Sequence, residues 1–298
     1  MYIIIDVTCL LCMSSVCVKS VAVCLTAVMK STVLIFAPLC WLLCWTLPVG
    51  SKMITFTSQD AKKATTIPLN MTENAVDDMY FGCNAKMAEK VKDKYFGKEN
   101  KELFNTVWKQ AEQCATDRFK QKDKEDEDLT KNHMQAICVY TSGGKFYETF
   151  NDAVRTNRKN YGTSFKFHSL HFWLTTAVQI LRAKQGCHIT YRRTEAEFTG
   201  EVNKIIRFGY FTSTSLRTNL TRFGKVTCFK IKTCLGAYLK KYPHLKDKEQ
   251  EVLIPPYEMF NITNRVENKF VENLNDCERV YFLESAGVSS NLNCRAVK

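Results

Sequence analysis

Glu249 and Glu251, separated by one residue, stand directly before the apolar run Val252-Leu253-Ile254. Side chains repeat every two residues along a strand, so a strand already begun at Glu249 turns both carboxylates to one face. Two acids facing one cleft can divide a reaction: one stabilises a developing cation while the other handles the incoming nucleophile. Pro255-Pro256 ends the run and keeps the strand short. By default such a pair is a solvated strand edge, so its meaning depends on the polar groups brought beside it. Arg192 closes an earlier strand-like run, and Phe211-Thr212-Ser213-Thr214-Ser215 closes another. Taken alone, Arg192 is a surface ion-pair partner and Ser213 an N-cap for a segment starting at Ser215. His168 and His171, at i and i+3, lack a further His, Cys or acid at ligand spacing. They are read as core or surface histidines, and no metal site is expected.

The elements that must position these groups fall into two halves. From Asp77 to about Gln185 the pattern is mostly helical. Met87, Val91 and Tyr95 recur at helical spacing, as do Phe104, Val107, Trp108 and Ala111. A third helix is expected over Phe146–Val154 and a strongly apolar fourth over Phe167–Leu181. After Gly186 short β-branched runs take over: Cys187–Arg192, Ile205–Phe211, Val226–Ile231, Glu251–Ile254, Glu258–Ile262 and Val280–Leu283. A helical first half and a β second half predict an α+β fold, the helices packed on a β core within one domain.

The 298 residues carry a formal charge of +12, but basic residues are spread along the chain and mixed with acids, as in Lys120–Asp128. That distribution argues against a nucleic-acid partner. Residues 1–50 are read as a leader. Lys30 precedes the apolar stretch Thr32–Leu47, and cleavage is expected near Gly50 or Ser51, giving a signal peptide at about 29–50. The start is either Met1 or Met29, and a start at Met29 would make Met1–Val28 a spurious extension. The rival is an uncleaved anchor, for which that stretch is short. An irregular segment follows over 51–75, then a single domain over 76–298. Of the fourteen cysteines six fall in the leader; the remaining eight contain no C-x-x-C pair and read as disulfides of an exported chain. Sequons at Asn70, Asn219 and Asn261 agree with a secreted glycoprotein. The C-terminal residues lack the apolar tail of a lipid-anchor signal, so no stable membrane anchor is expected in the mature chain.

The order Arg192, then Phe211-Thr212-Ser213-Thr214-Ser215, then Glu249-Gln250-Glu251 resembles the signature of the ecto-mono-ADP-ribosyltransferases. So do Asp77–Cys83, Leu170–Thr175 and Glu251–Glu258, and the resemblance covers roughly residues 75 to 294. It implies the ADP-ribosyltransferase fold, with a mixed two-sheet β core. It also implies NAD (or NADP) as co-substrate, and transfer of ADP-ribose to exposed arginines of extracellular or lumenal proteins. Breaking the bond to nicotinamide develops positive charge on the ribose. Glu251 would stabilise that charge, Arg192 would hold a phosphate of the cofactor, and Ser213 would position Glu251. Phe223 matches the family's aromatic that stacks on nicotinamide. Glu249 would grip the acceptor guanidinium bidentately, with Tyr242 of the preceding turn stacked on it. The lysines of that turn would disfavour basic acceptors.

The same resemblance pairs Cys187 with Cys234 and Cys83 with Cys294. Cys114, Cys138, Cys228 and Cys277 have no counterpart, and the pairing 114–138 with 228–277 is adopted without an argument. A sugar on Asn219 would sit near Ser213 and Phe223. One departure stands out: the family places Gly after the signature arginine, and this chain has Arg193, a long cation that either crowds the cofactor or points outward. Two alternatives accompany the transferase reading. One is an NAD glycohydrolase at the same site; the other is a catalytically silent secreted binding protein of the same fold.

Overall fold

Apolar residues at helical spacing build the first half of the computed structural model, which describes residues 66–297. The leader and residues 51–65 lie outside the described residues. Helix α1 (Asn84–Lys90) runs through a π-turn (Val91–Tyr95) into Phe96–Glu99, burying Met87, Val91 and Tyr95. Then come α2 (Glu102–Gln110), α3 (Glu112–Lys120), α4 (Lys131–Thr141), α5 (Gly144–Thr156) and α6 (His168–Arg182). Helix α6 is apolar on nearly every side, as a helix at the centre of a core must be. Its first turn is capped by Glu99, whose carboxylate accepts the backbone N–H groups of His168 and Ser169, each at 2.9 Å. No helix among the described residues is long and apolar enough to cross a membrane.

The helical pattern did not predict α4. It starts at a capping box in which Thr130 Oγ1 accepts from His133 N–H and His133 Nδ1 accepts from Thr130 N–H. The histidines of α6 are core residues. His168 Nδ1 lies 2.7 Å from Glu99, and His171 sits between the Tyr80 hydroxyl (2.7 Å) and the Val76 carbonyl (3.0 Å). Burial holds the His171 imidazole down to about 3, so it is neutral.

The strands are β1 (Ile67–Pro68), β2 (His188–Thr194), β3 (Phe198–Thr199), β4 (Ile205–Ile206), β5 (Thr212–Ser215), β6 (Thr227–Thr233), β7 (Ala237–Tyr238), β8 (Glu251–Ile254), β9 (Glu258–Glu267) and β10 (Arg279–Val288). Eight form one mixed sheet in the order β4-β9-β10-β6-β2-β5-β8-β7, and β1 pairs with β3 in a second, two-stranded sheet. Within the large sheet β6–β10 is the parallel contact, and the other pairs are antiparallel. The largest apolar cluster joins the helices to Phe211, Leu239, Tyr242 and Leu253 of the sheet region; a second gathers Phe229, Phe260, Ile262 and Tyr281.

Several strand boundaries differ from the sequence reading, β9 and β10 each running five residues further than expected. The run Ile205–Phe211 forms a ladder only at Ile205–Ile206. Arg207 then leaves it to make an ion pair with Asp77 (2.6 Å, both side chains fully buried) and to donate to the Ser289 carbonyl. Gly209, at φ +72, turns the chain before β5 begins. Ser213 therefore lies within a strand, and no helix starts at Ser215. Among the described residues the disulfides are Cys83–Cys294, Cys114–Cys138, Cys187–Cys234 and Cys228–Cys277.

Candidate active site

Strands β2, β5 and β8 are immediate neighbours, and each brings one polar residue to the same place: Arg192, Ser213 and Glu251. In the ladder Tyr191 stands opposite Ser215, and Ser215 opposite Glu251. With neighbouring strands about 4.8 Å apart, residues scattered over sixty positions of sequence become adjacent. They line a cavity of about 410 Å³, a size typical of small-molecule sites. Its far wall is the α4–α5 junction (Tyr140 to Gly143, and Tyr147), and its rim carries Leu220, Phe223, Leu245 and Glu249.

Arg192 donates from Nη1 to the Ser213 carbonyl at 2.8 Å, while its Nε is buried without a hydrogen-bond partner. Leaving such a donor unsatisfied is costly, and it keeps one nitrogen of the guanidinium available for an acceptor in the cavity. Glu251 is only 6% exposed. Burial pushes its carboxyl up to about 7; the Ser213 hydroxyl pulls the other way, Glu249 adds to the rise, and Arg192 opposes it. The site thus holds a carboxylate whose negative charge is poorly solvated and gains much from a cation placed beside it.

Glu249 reaches the cavity by a different route from the one the alternation suggested. The strand begins at Glu251, and Gln250 adopts φ +46, so Glu249 belongs to the preceding turn. The Ser215 hydroxyl donates to its carbonyl and fixes that turn. Its carboxylate, 23% exposed, forms an ion pair with Arg222. Phe223, the next residue, lies at the cavity edge and is half exposed. Gly224 makes this placement possible: at φ +127, a Cβ there would lie 2.3 Å from the backbone of Thr194 and of Glu195. Any side chain would lift Phe223 off the end of β2.

Tyr242 is a correction. It is fully buried in the helical core, its hydroxyl donating to Asp126 at 2.6 Å and accepting from Asp123 N–H, and it does not line the cavity. Leu245 is the residue of that turn that does. The lysines of the turn are corrected in part as well, because Lys240 and Lys241 are ion-paired with Asp123 and Asp126. Arg193 contributes to the cavity lining, but its guanidinium is engaged away from the cleft. Alternation along β2 sends it to the opposite face, where it is buried, binds Asp276 through both terminal nitrogens (3.0 and 3.1 Å) and donates to the Thr218 carbonyl.

Sequence reasoning missed Tyr140 and Tyr147. Tyr140 is buried and hydrogen-bonds the Phe211 carbonyl just before β5. A usable signal was the Gly143-Gly144 pair after the apolar run Ile137–Tyr140, a turn that delivers a helix end to a site.

Residues 69–279 match the family model described as NAD:arginine ADP-ribosyltransferase. Similar relatives include the chicken (Gallus gallus) NAD(P)(+)–arginine ADP-ribosyltransferase 1, at 31% identity over 85% of this chain and 82% of that protein. The human ecto-ADP-ribosyltransferase 4 is 32% identical over 81% of this chain and 77% of that protein. Among solved structures, a variant of the eukaryotic mono-ADP-ribosyltransferase ART2.2 in complex with NADH aligns with TM-score 0.65 at 31% identity, covering 76% of this chain and 98% of that one. The order of strands, the polar groups they bring together and these relatives all lead to one assignment: the chain belongs to the NAD:arginine ADP-ribosyltransferase family.

Proposed function

We propose that this chain is an exported enzyme that moves ADP-ribose from NAD to arginine side chains of proteins, releasing nicotinamide. The observation that carries the reading is the buried Glu251 carboxylate in one cavity with Arg192, whose Nε has no partner. NAD supplies a ribose already bonded to a cationic leaving group. Arg192 holds a phosphate, and Phe223 offers a face to the nicotinamide. Ser213 favours the ionised form of Glu251, which stabilises positive charge growing on the ribose carbon as the bond lengthens. Glu249, at the rim, receives the acceptor guanidinium and orients one nitrogen for attack. The relatives' names and the four disulfides support an oxidising, extracellular setting. Asn70 and Asn219 are exposed, as glycan acceptors must be.

The test is transfer of labelled ADP-ribose from NAD to a small guanidine acceptor, with free ADP-ribose counted in parallel. Glu251→Gln should lower transfer at least about a hundredfold while NAD still binds. Full activity in that variant would refute the role given to Glu251. The NAD glycohydrolase reading keeps a specific observation in its favour: Glu249 is already paired with Arg222, which leaves water as a ready competitor. Glu249→Gln separates the two readings, abolishing arginine transfer and sparing hydrolysis if Glu249 selects the acceptor.

A further inference from the structure

The carboxylate at the acceptor position already holds an arginine. Arg222 lies in the single 3-10 turn Thr221–Phe223, ion-pairs with Glu249 and stacks its guanidinium 4.5 Å from the centroid of the Phe223 ring. The turn is pressed against the end of β2 by Gly224, so the contact does not depend on a wandering loop. The partners are of unequal exposure, 55% for the Arg222 side chain and 23% for that of Glu249. The arginine can therefore swing into solvent while the carboxylate stays at the cavity.

We infer that Arg222 is a resident occupant of the acceptor seat, which an incoming arginine must displace before it can be modified. The inference rests on the reading of Glu249 as the acceptor's carboxylate. It makes Arg222 a built-in competitor that raises the apparent KM of every acceptor by the same factor, while the preference for ligands able to fork onto a carboxylate belongs to Glu249 itself. A singly bonding ammonium makes a poorer exchange. An ion pair this exposed is worth a factor of up to about five.

Arg222→Ala should lower the acceptor KM about two- to fivefold, a larger change than in the KM for NAD. Arg222→Gln keeps an aliphatic stem over Phe223 and should give the same shift if loss of packing disturbs the alanine variant. An acceptor KM that stays the same or rises in both variants would overturn the inference. The control is Glu249→Gln. If that variant keeps full arginine transfer, the reading of Glu249 fails by itself. If it loses transfer and the Arg222 variants show no fall in acceptor KM, only the resident-arginine inference fails.

Discussion

The pH dependence of NAD cleavage tests the electrostatics of the site most directly. Glu249 and Glu251 are the carboxylates lining the cavity, and among the described residues no histidine lines it. Burial, helped by Glu249, holds the Glu251 carboxyl at about 7. Only the ionised form can stabilise positive charge on the ribose, so activity must fall as pH falls through that value. With a midpoint near 7, about nine-tenths of Glu251 is ionised at pH 8 and about one-tenth at pH 6. The assay is nicotinamide release at low NAD, so that kcat/KM reports the free enzyme. The expected profile rises about tenfold between pH 6 and 8. Glu249→Gln removes the neighbouring charge that raises Glu251, and should move the midpoint towards acid while hydrolysis persists. At saturating NAD the cationic nicotinamide favours the ionised carboxyl, and the midpoint should again lie lower. A stability measurement provides an independent check. Because the folded-state value lies above the ordinary 4.5, this group's contribution is fully present below 4.5 and is lost as pH rises through about 7. The span corresponds to roughly 3 kcal/mol, so Glu251→Gln should be more stable than the wild type at pH 8, with the difference vanishing below about pH 4.5. A kcat/KM profile flat from pH 5.5 to 8, or a midpoint driven alkaline by Glu249→Gln, would refute the reasoning.

Two further predictions concern the framework. Arg193→Gly, which restores the residue usual in the family, should destabilise the fold by about 2–3 kcal/mol. It removes the double contact with Asp276 and the bond to Thr218 and opens no room in the cleft. A higher kcat with an unchanged Tm would contradict the assignment of that side chain to the far face. Arg207→Ala should cost about 3–5 kcal/mol in denaturant unfolding, because it strands the buried Asp77 carboxylate. The double variant Arg207→Met with Asp77→Val should recover part of that loss, and no recovery would mean the ion pair itself is not the source.

Much of the site was legible because its members sit on strands whose β-branched, alternating composition announces them. Arg192, Ser213 and Glu251 needed only the strand order to become neighbours, and that order followed from the family resemblance rather than from any local pattern. Arg193 stayed open between crowding the cofactor and pointing outward, and the structure decides it, since along β2 adjacent residues go to opposite faces. Tyr242 was not. It lies between Lys241 and Pro243 in a basic turn, and nothing local shows that its hydroxyl is claimed by Asp126, 116 residues earlier in the chain. Helix α4 escaped because its capping box uses His133 where Glu or Gln is usual. Glu249 reached the expected cavity for an unexpected reason: a left-handed Gln250, which a two-residue period cannot foresee.

The two acids also differ in a way that sequence spacing could not show, and the difference accounts for their division of labour. Glu251 is buried and poorly solvated, so a cation arriving beside it is stabilised strongly, in the manner a transition state requires. Glu249 is more exposed and already paired with Arg222, which offsets part of the repulsion between the carboxylates. An acceptor arginine that displaces Arg222 substitutes one guanidinium for another at the same carboxylate. The charge felt by Glu251 is then nearly the same before and after the acceptor binds. A lysine would preserve the charge but not the planar fork that orients a nitrogen for attack. On the proposed reading, the more exposed acid chooses the nucleophile, and the buried one lowers the barrier.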